Sequence, residues 1–302
     1  TKRGTEFMSN FILCCGSTAD LSAGHLKRRN IEYIPFHYFL DEKEYADDLG
    51  QTMPLSEFYK AMVNGADTRT SQINSGELED YLTPFLEDGN DVLYVSLSSG
   101  ISGAYQSSLT AVEELKAKYP DRKIYTLDSL AASSGYGLFM DKLADLRDAG
   151  KTIEEVYEWG TKNRLKVHHW FFSTDLTFYI KGGRVSKVSG WFGTVLKICP
   201  LLNVSVDGRL IPRQKVRTKK RVIEEIVNKM VEHAENGLDY SGKCYMCNSD
   251  CLDDAKQVAE LVEKKFKKLN GKVEINNIGP TIGSHTGPGT VALFFWGDER
   301  VD

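Results

Sequence analysis

An apolar run, Asp91-Val92-Leu93-Tyr94-Val95, leads directly into a turn made almost wholly of hydroxyl and glycine residues, Ser96-Leu97-Ser98-Ser99-Gly100-Ile101-Ser102-Gly103. A helix pattern then begins at Ala104 and continues to about residue 118. A strand, a small-residue turn and a helix start in immediate succession form the basic unit of a parallel sheet covered by helices. Such a turn also collects backbone N–H groups and hydroxyls at the positive end of a helix, which suits a phosphate or carboxylate. No Gly-Lys-Ser/Thr follows, and Gly100 and Gly103 do not complete G-x-G-x-x-G, so neither nucleotide-binding loop is present.

The same alternation repeats through the first half. Residues 11–15, 32–40, 92–97 and 123–127 read as strands. Residues 21–29, 54–64, 75–87, 104–118 and 135–147 read as helices. In the helix at 75–87, Leu78, Tyr81, Leu82 and Phe85 form the apolar stripe. Ligands of such sheets bind at the carboxyl ends of the strands. A second hydroxyl cluster, Thr68-Arg69-Thr70-Ser71-Gln72, is expected near that edge although no clear strand precedes Thr70.

Beyond about residue 164 the pattern changes. A strand at 169–173 precedes an apolar region, residues 188–202, which reads as core packing or as the lining of a long apolar ligand site. Residues 201–206 and 210–216 form a hairpin around Val206-Asp207-Gly208-Arg209. Helices at 219–234 and 253–268 and strands at 243–247, 273–278 and 291–296 complete the chain. The expected architecture is therefore an N-terminal parallel-sheet α/β domain, residues 8–164. A C-terminal α+β domain, residues 165–302, follows with a mixed or antiparallel sheet. Residues 1–7 read as a cloning remnant, with Met8 the native start.

A net charge of −4 gives no reason to expect a nucleic-acid partner. No apolar run approaches the length of a membrane span. Cys244, Cys247 and Cys251 are spaced like metal ligands, but Cys244 and Cys247 sit in a strand pattern that sends them to opposite faces. Buried, reduced thiols in a cytoplasmic protein fit better, and no metal is expected.

Three further features carry chemistry. His285 sits in Gly283-Ser284-His285-Thr286-Gly287-Pro288-Gly289, read as a loop where an imidazole can meet an anion; the alternative is a plain solvated turn. Arg184 follows two glycines and either clamps an anion or lies on the surface. Arg213, Lys215, Arg217, Lys219, Lys220 and Arg221 form a basic run that can dock an acidic partner. A serine hydrolase or acyltransferase using Ser98 or Ser99 with His285, and Asp128 as third member, is the rival reading. It lacks the G-x-S-x-G elbow.

Together, Gly16-Ser17-Thr18-Ala19-Asp20-Leu21, Thr70-Ser71-Gln72, Ser98 to Ser108, Asp128-Ser129, Lys181 to Ser186 and His285 to Gly289 make the chain resemble the DegV family. These are bacterial fatty-acid-binding proteins that serve as lipid carriers for a fatty acid kinase. Cys15-Gly16 stands where that family usually has Asp before the first Ser-Thr, and Ile73 stands where Pro normally follows the Thr-Ser-Gln. The resemblance implies a non-catalytic carrier with no cofactor and a long-chain fatty acid as ligand. Its carboxylate would lie on Thr70, Ser98 and Ser99 with His285 close by, and its tail in a tunnel between the domains. Ser71, Gly100, Thr286, Arg184 and Arg217 are the further expected contacts to head group or partner. It also implies an ATP-dependent kinase partner that phosphorylates the bound acid.

Overall fold

The computed structural model describes residues 11–185 and 198–302. Most of the apolar segment at 188–202 therefore lies outside the described residues. The first half opens with β1 (Phe11–Gly16), α1 (Ala23–Arg28), β2 (Ile31–Ile34), β3 (His37–Leu40), β4 (Lys43–Ala46) and α2 (Leu55–Val63). It continues with β5 (Thr68–Ser71), α3 (Ser75–Glu87), β6 (Asp91–Ser96), α4 (Ala104–Lys118), β7 (Ile124–Asp128), α5 (Ser133–Asp148) and α6 (Ile153–Asn163). After these come β8 (Val167–Phe172), α7 (Thr177–Lys181), β9 (Ile198–Val204), β10 (Leu210–Arg217) and α8 (Lys219–His233). The chain ends with β11 (Tyr245–Asn248), α9 (Leu252–Lys265), β12 (Glu274–Asn277), α10 (Pro280–Thr286) and β13 (Val291–Trp296).

Three sheets result. The first has the order β2-β1-β6-β7 and is parallel throughout. The strands β4-β3-β5 form a small antiparallel sheet. The large sheet, β10-β9-β8-β13-β11-β12, is antiparallel except for the β11–β12 pair, so it is mixed. Every strand of the first two sheets precedes residue 129 and every strand of the third follows residue 166. Among the described residues no helix is long and apolar enough to cross a membrane.

Four local readings change. The strand expected over 32–40 breaks after Ile34, where Pro35 brings no N–H to a ladder, and its second part turns away to found the small sheet. Thr70 lies within a strand, opposite Tyr38, in a polar four-residue segment with no apolar period to betray it. A helix that the apolar reading passes over, α6, carries a complete capping box between Thr152 and Glu155. Residues 280–286, expected as loop, form α10. It starts on Pro280 at its first turn and stops at Gly287, whose φ of +67° suits glycine.

The cysteines behave as the strand pattern implies. All six are free; Cys247 packs in the core shared by the two halves, while Cys244 faces the core between β11, α8 and α9.

Candidate functional site

A cavity of about 390 Å³ lies where the two halves meet. That is within the roughly 300–1,000 Å³ typical of small-molecule sites. Leu97 follows the carboxyl end of β6, Phe36 that of β2, and Ala132 that of β7, so the parallel sheet contributes the edge at which such sheets bind ligands. The large sheet supplies Phe171, Val204, Leu210, Ala292 and Phe294. One wall is α10, through Thr281, Ile282, His285 and Thr286.

The buried end contains many polar residues yet offers little to a polar ligand, because the protein already occupies their polar atoms. Thr281 donates its hydroxyl to Asp47 at 2.6 Å, and Ser133 donates to Asp20. The Tyr179 and Thr290 hydroxyls bond each other at 2.8 Å, and Thr286 donates to the Gly287 carbonyl. His169 accepts from the Ala132 N–H through Nε2 and meets the Val167 carbonyl through Nδ1, which fixes a neutral tautomer; burial holds its pKa far below the usual range. These residues line the cavity beside Phe171, Phe294 and Ala292, with their hydroxyl and ring nitrogen groups already paired within the protein.

The open end is chemically different. Thr70 Oγ1 and His285 Nε2 are 2.7 Å apart, and His285 Nδ1 is buried without a partner. Burial first, and the nearby Arg184 charge second, push the His285 pKa down to about 4, so the imidazole is neutral near pH 7. A neutral ring with its proton on Nε2 would donate to Thr70 and leave the Thr70 O–H free to donate into the cavity. Gly182 is what lets α7 end against this ring: a Cβ there would stand 2.2 Å from His285 Nδ1. Arg184, half-buried on the cavity wall, donates to the carbonyls of Ile101 at 3.2 Å and of Gly182. Among the described residues no carboxylate pairs with it, and burial lowers its pKa. A guanidinium in this state gains from an anionic partner.

Of the residues singled out from sequence, Thr70, Ser71, Arg184, His285 and Thr286 line the cavity. Ser98, Ser99, Gly100 and Arg217 are not among its lining residues. Ser98 is fully buried, donates to the Gly208 carbonyl at 2.8 Å and accepts from the Gly100 N–H at 3.1 Å. A Cβ on Gly100 would come within 2.3 Å of the Asp207 carbonyl oxygen. This part of the turn is the seat of the β9–β10 hairpin. Ser99 is exposed, and its N–H donates to Asp128 Oδ1, which also accepts from Leu130 N–H. Asp128 thus caps a turn, and neither serine hydroxyl is hydrogen-bonded to His285, so the structure does not assemble the serine triad. Arg217 is exposed at the end of edge strand β10.

Sequence reading missed Ser102 and Gln72 as wall residues. Ser102 lines the cavity and accepts from the Ala104 N–H at 3.1 Å, at the start of α4. Its position just before the helix was the signal available. The Gln72 amide reaches Ser107 at 3.3 Å across the same mouth.

Among the described residues one trio has metal-ligand reach, His168, His233 and Asp298. Its two imidazoles stack with centroids 4.9 Å apart and planes 17° apart. Asp298 Oδ1 meets both rings, at 2.8 and 3.3 Å, and ties the segment after β13 to β8 and α8.

The family model described as "Uncharacterised protein, DegV family" matches residues 13–298. A DegV domain-containing protein, CPE0026 of Clostridium perfringens, is 33% identical over 97% of this chain and 99% of its own. Among solved structures, the protein TM841 of Thermotoga maritima, reported to reveal fatty acid binding function, superposes with a TM-score of 0.80. It is 26% identical and covers 96% of this chain and 99% of its own. The Streptococcus pneumoniae Fatty Acid Kinase (Fak) B3 protein loaded with linoleic acid shares the fold, with a TM-score of 0.81 at 21% identity, over 96% of this chain and all of its own.

Proposed function

The chain belongs to the DegV family, and from that premise we propose that it binds a long-chain fatty acid. The tail lies against the buried end of the cavity and the carboxylate at the Thr70–His285–Arg184 end. The observation that carries this reading is the division of the cavity itself. Its buried polar groups are satisfied by partners behind the wall, while its open end holds a half-buried cation with no carboxylate partner among the described residues. Each methylene withdrawn from water contributes about 0.8 kcal/mol, so roughly a dozen supply about 10 kcal/mol before ordering costs are subtracted. Ser102 and Gln72 join the carboxylate seat from the wall. Ser98 acts from behind it by fixing the hairpin on the turn, and Ser99 stays on the rim.

We further propose that the carboxylate is presented to a separate ATP-dependent kinase, which forms an acyl phosphate on it. The head-group end is the accessible end of the cavity, and the chain has no nucleotide loop of its own. The exposed basic run from Arg213 to Arg221, on edge strand β10 and the start of α8, is the surface proposed to meet the kinase. An ATP-dependent partner places the pair in the cytoplasm.

Native mass spectrometry of protein purified from cells tests the ligand class. A retained mass equal to a fatty acid is the expected result. Lipid-free protein that gains no mass from added fatty acid, or a covalent adduct of a fluorophosphonate probe at Ser98 or Ser99, would overturn it.

A further inference from the structure

Two carboxylates that do not line the cavity stand directly behind its wall. Asp20 and Asp47 are 5% and 1% exposed. Asp20 sits after β1 with a φ of 47°, and its two oxygens join elements from opposite halves of the chain. Oδ1 accepts from the Gly279 N–H at 2.9 Å, at the cap of α10, and Oδ2 accepts from the Ser133 hydroxyl at the start of α5. Asp47 Oδ2 accepts both the N–H and the hydroxyl of Thr281, in the first turn of α10, at 3.3 and 2.6 Å. Both hydroxyls so held, Ser133 and Thr281, belong to residues on the cavity wall.

We propose that Asp20 and Asp47 are positioning residues for the lipid site, an inference that rests on the fatty-acid reading above. They act in two ways. They supply acceptors for the unpaired N–H groups at the start of α10, a helix of seven residues rich in Gly, Ser and Thr that has little propensity of its own. That helix carries His285 and Thr286 to the cavity. They also hold the Ser133 and Thr281 hydroxyls backward, so the tail meets Cβ and methyl surface. Without its acceptor, the Thr281 hydroxyl must either remain unsatisfied against an alkyl chain or find a partner inside the cavity, and the Ser133 hydroxyl keeps the Cys247 thiol at 3.2 Å, a weak partner that itself lines the cavity. The clamp therefore selects for an unsubstituted acyl chain over one that bears a mid-chain hydroxyl.

The test compares Asp47→Ala and Asp20→Ala with the wild type. Each is titrated by displacement of a fluorescent lipid with a saturated fatty acid and with a mid-chain hydroxy fatty acid of equal length. The wild type is expected to prefer the plain acid. Each variant is expected to bind the plain acid about tenfold more weakly and to lose much of that preference. Asp47→Asn, whose amide oxygen can still accept from Thr281, should behave as wild type. Adding Thr281→Val to Asp47→Ala should restore the preference for the plain acid. Equal losses for both acids would reduce the carboxylates to a structural role and overturn the proposal. Because the two Ala variants free different hydroxyls, either one carries the test if the other does not fold. Amide hydrogen exchange over residues 279–286 in the lipid-free protein separates this idea from the ligand reading. Faster exchange in Asp47→Ala supports the clamp even if no fatty acid binds, and unchanged exchange overturns it.

Discussion

Replacing Arg184 with Met should separate carboxylate recognition from packing. In the lipid-free protein the guanidinium is half-buried and, among the described residues, held by the carbonyls of Ile101 and Gly182, with burial already lowering its pKa. Removing it gives up those two contacts but also relieves an uncompensated charge, so unfolding of the lipid-free protein should change little. Binding should change much more. A hydrogen bond to a charged group contributes about 1.5–3 kcal/mol, and partial exposure at the mouth favours the lower end. At about 1.4 kcal/mol per decade, fatty-acid affinity should fall roughly tenfold to thirtyfold. The assay is displacement of a fluorescent lipid by a fatty acid and by the fatty alcohol of equal length, at low and at moderate salt. Arg184→Met should weaken the acid and leave the alcohol nearly unaffected, and the acid's salt dependence should flatten. Arg184→Lys should fall between. An equal loss for acid and alcohol, or no loss for the acid, would refute the assignment.

Two predictions concern stability. His25 lies between Asp141 at 3.0 Å and Glu274 at 2.9 Å; these acids, Asp141 foremost, raise its pKa to about 9 against the opposing effect of burial. A folded pKa above the unfolded one gives stability that is complete below about pH 6.5 and disappears as pH rises through about 9. The wild-type thermal midpoint should therefore fall across that window, while His25→Gln, already less stable, should fall less; parallel slopes would contradict this. Gly100→Ala should destabilise by about 1–3 kcal/mol, as overpacking does, because its Cβ would press on the backbone carbonyl of Asp207. An unchanged urea midpoint would show that the β9–β10 hairpin does not depend on this contact.

Much of the fold was legible because its period was local. Asp91–Ser96 is buried along nearly its whole length and continues into α4 as the apolar run and small-residue turn require, and Leu78 and Leu82 of α3 are buried on the expected stripe. What escaped was structure made by distant partners. Thr68–Ser71 becomes a strand only because β3 is there to pair with it. The segment Pro280–Thr286 is a helix because Asp20, Asp47 and the Tyr59 hydroxyl, which donates to the Ile278 carbonyl at 2.7 Å, surround its start. These partners lie more than two hundred residues away in sequence. Reading His285 on a loop followed from judging that segment by propensity alone.

The serine-rich turn shows the same limit at the site itself. From sequence, Ser98, Ser99 and Ser102 are three hydroxyls before one helix, and only the position of Ser102 nearest the helix start sets it apart. In the structure a carbonyl from the other half of the chain, that of Gly208, takes the Ser98 hydroxyl. The absence of a Cβ at Gly100 is what allows the hairpin so close. Once the hairpin is seated there, Ser99 is left exposed and Ser102, at the start of α4, becomes a wall residue. The hydroxyl that reaches the cavity is thus chosen by a turn more than one hundred residues further along. The same contact brings Val204 and Leu210, which flank that turn, to the opposite wall. The seat of the hairpin and this wall of the cavity therefore depend on one contact, so a substitution that unseats Gly208 from Ser98 should cost ligand binding at the cavity as well as stability.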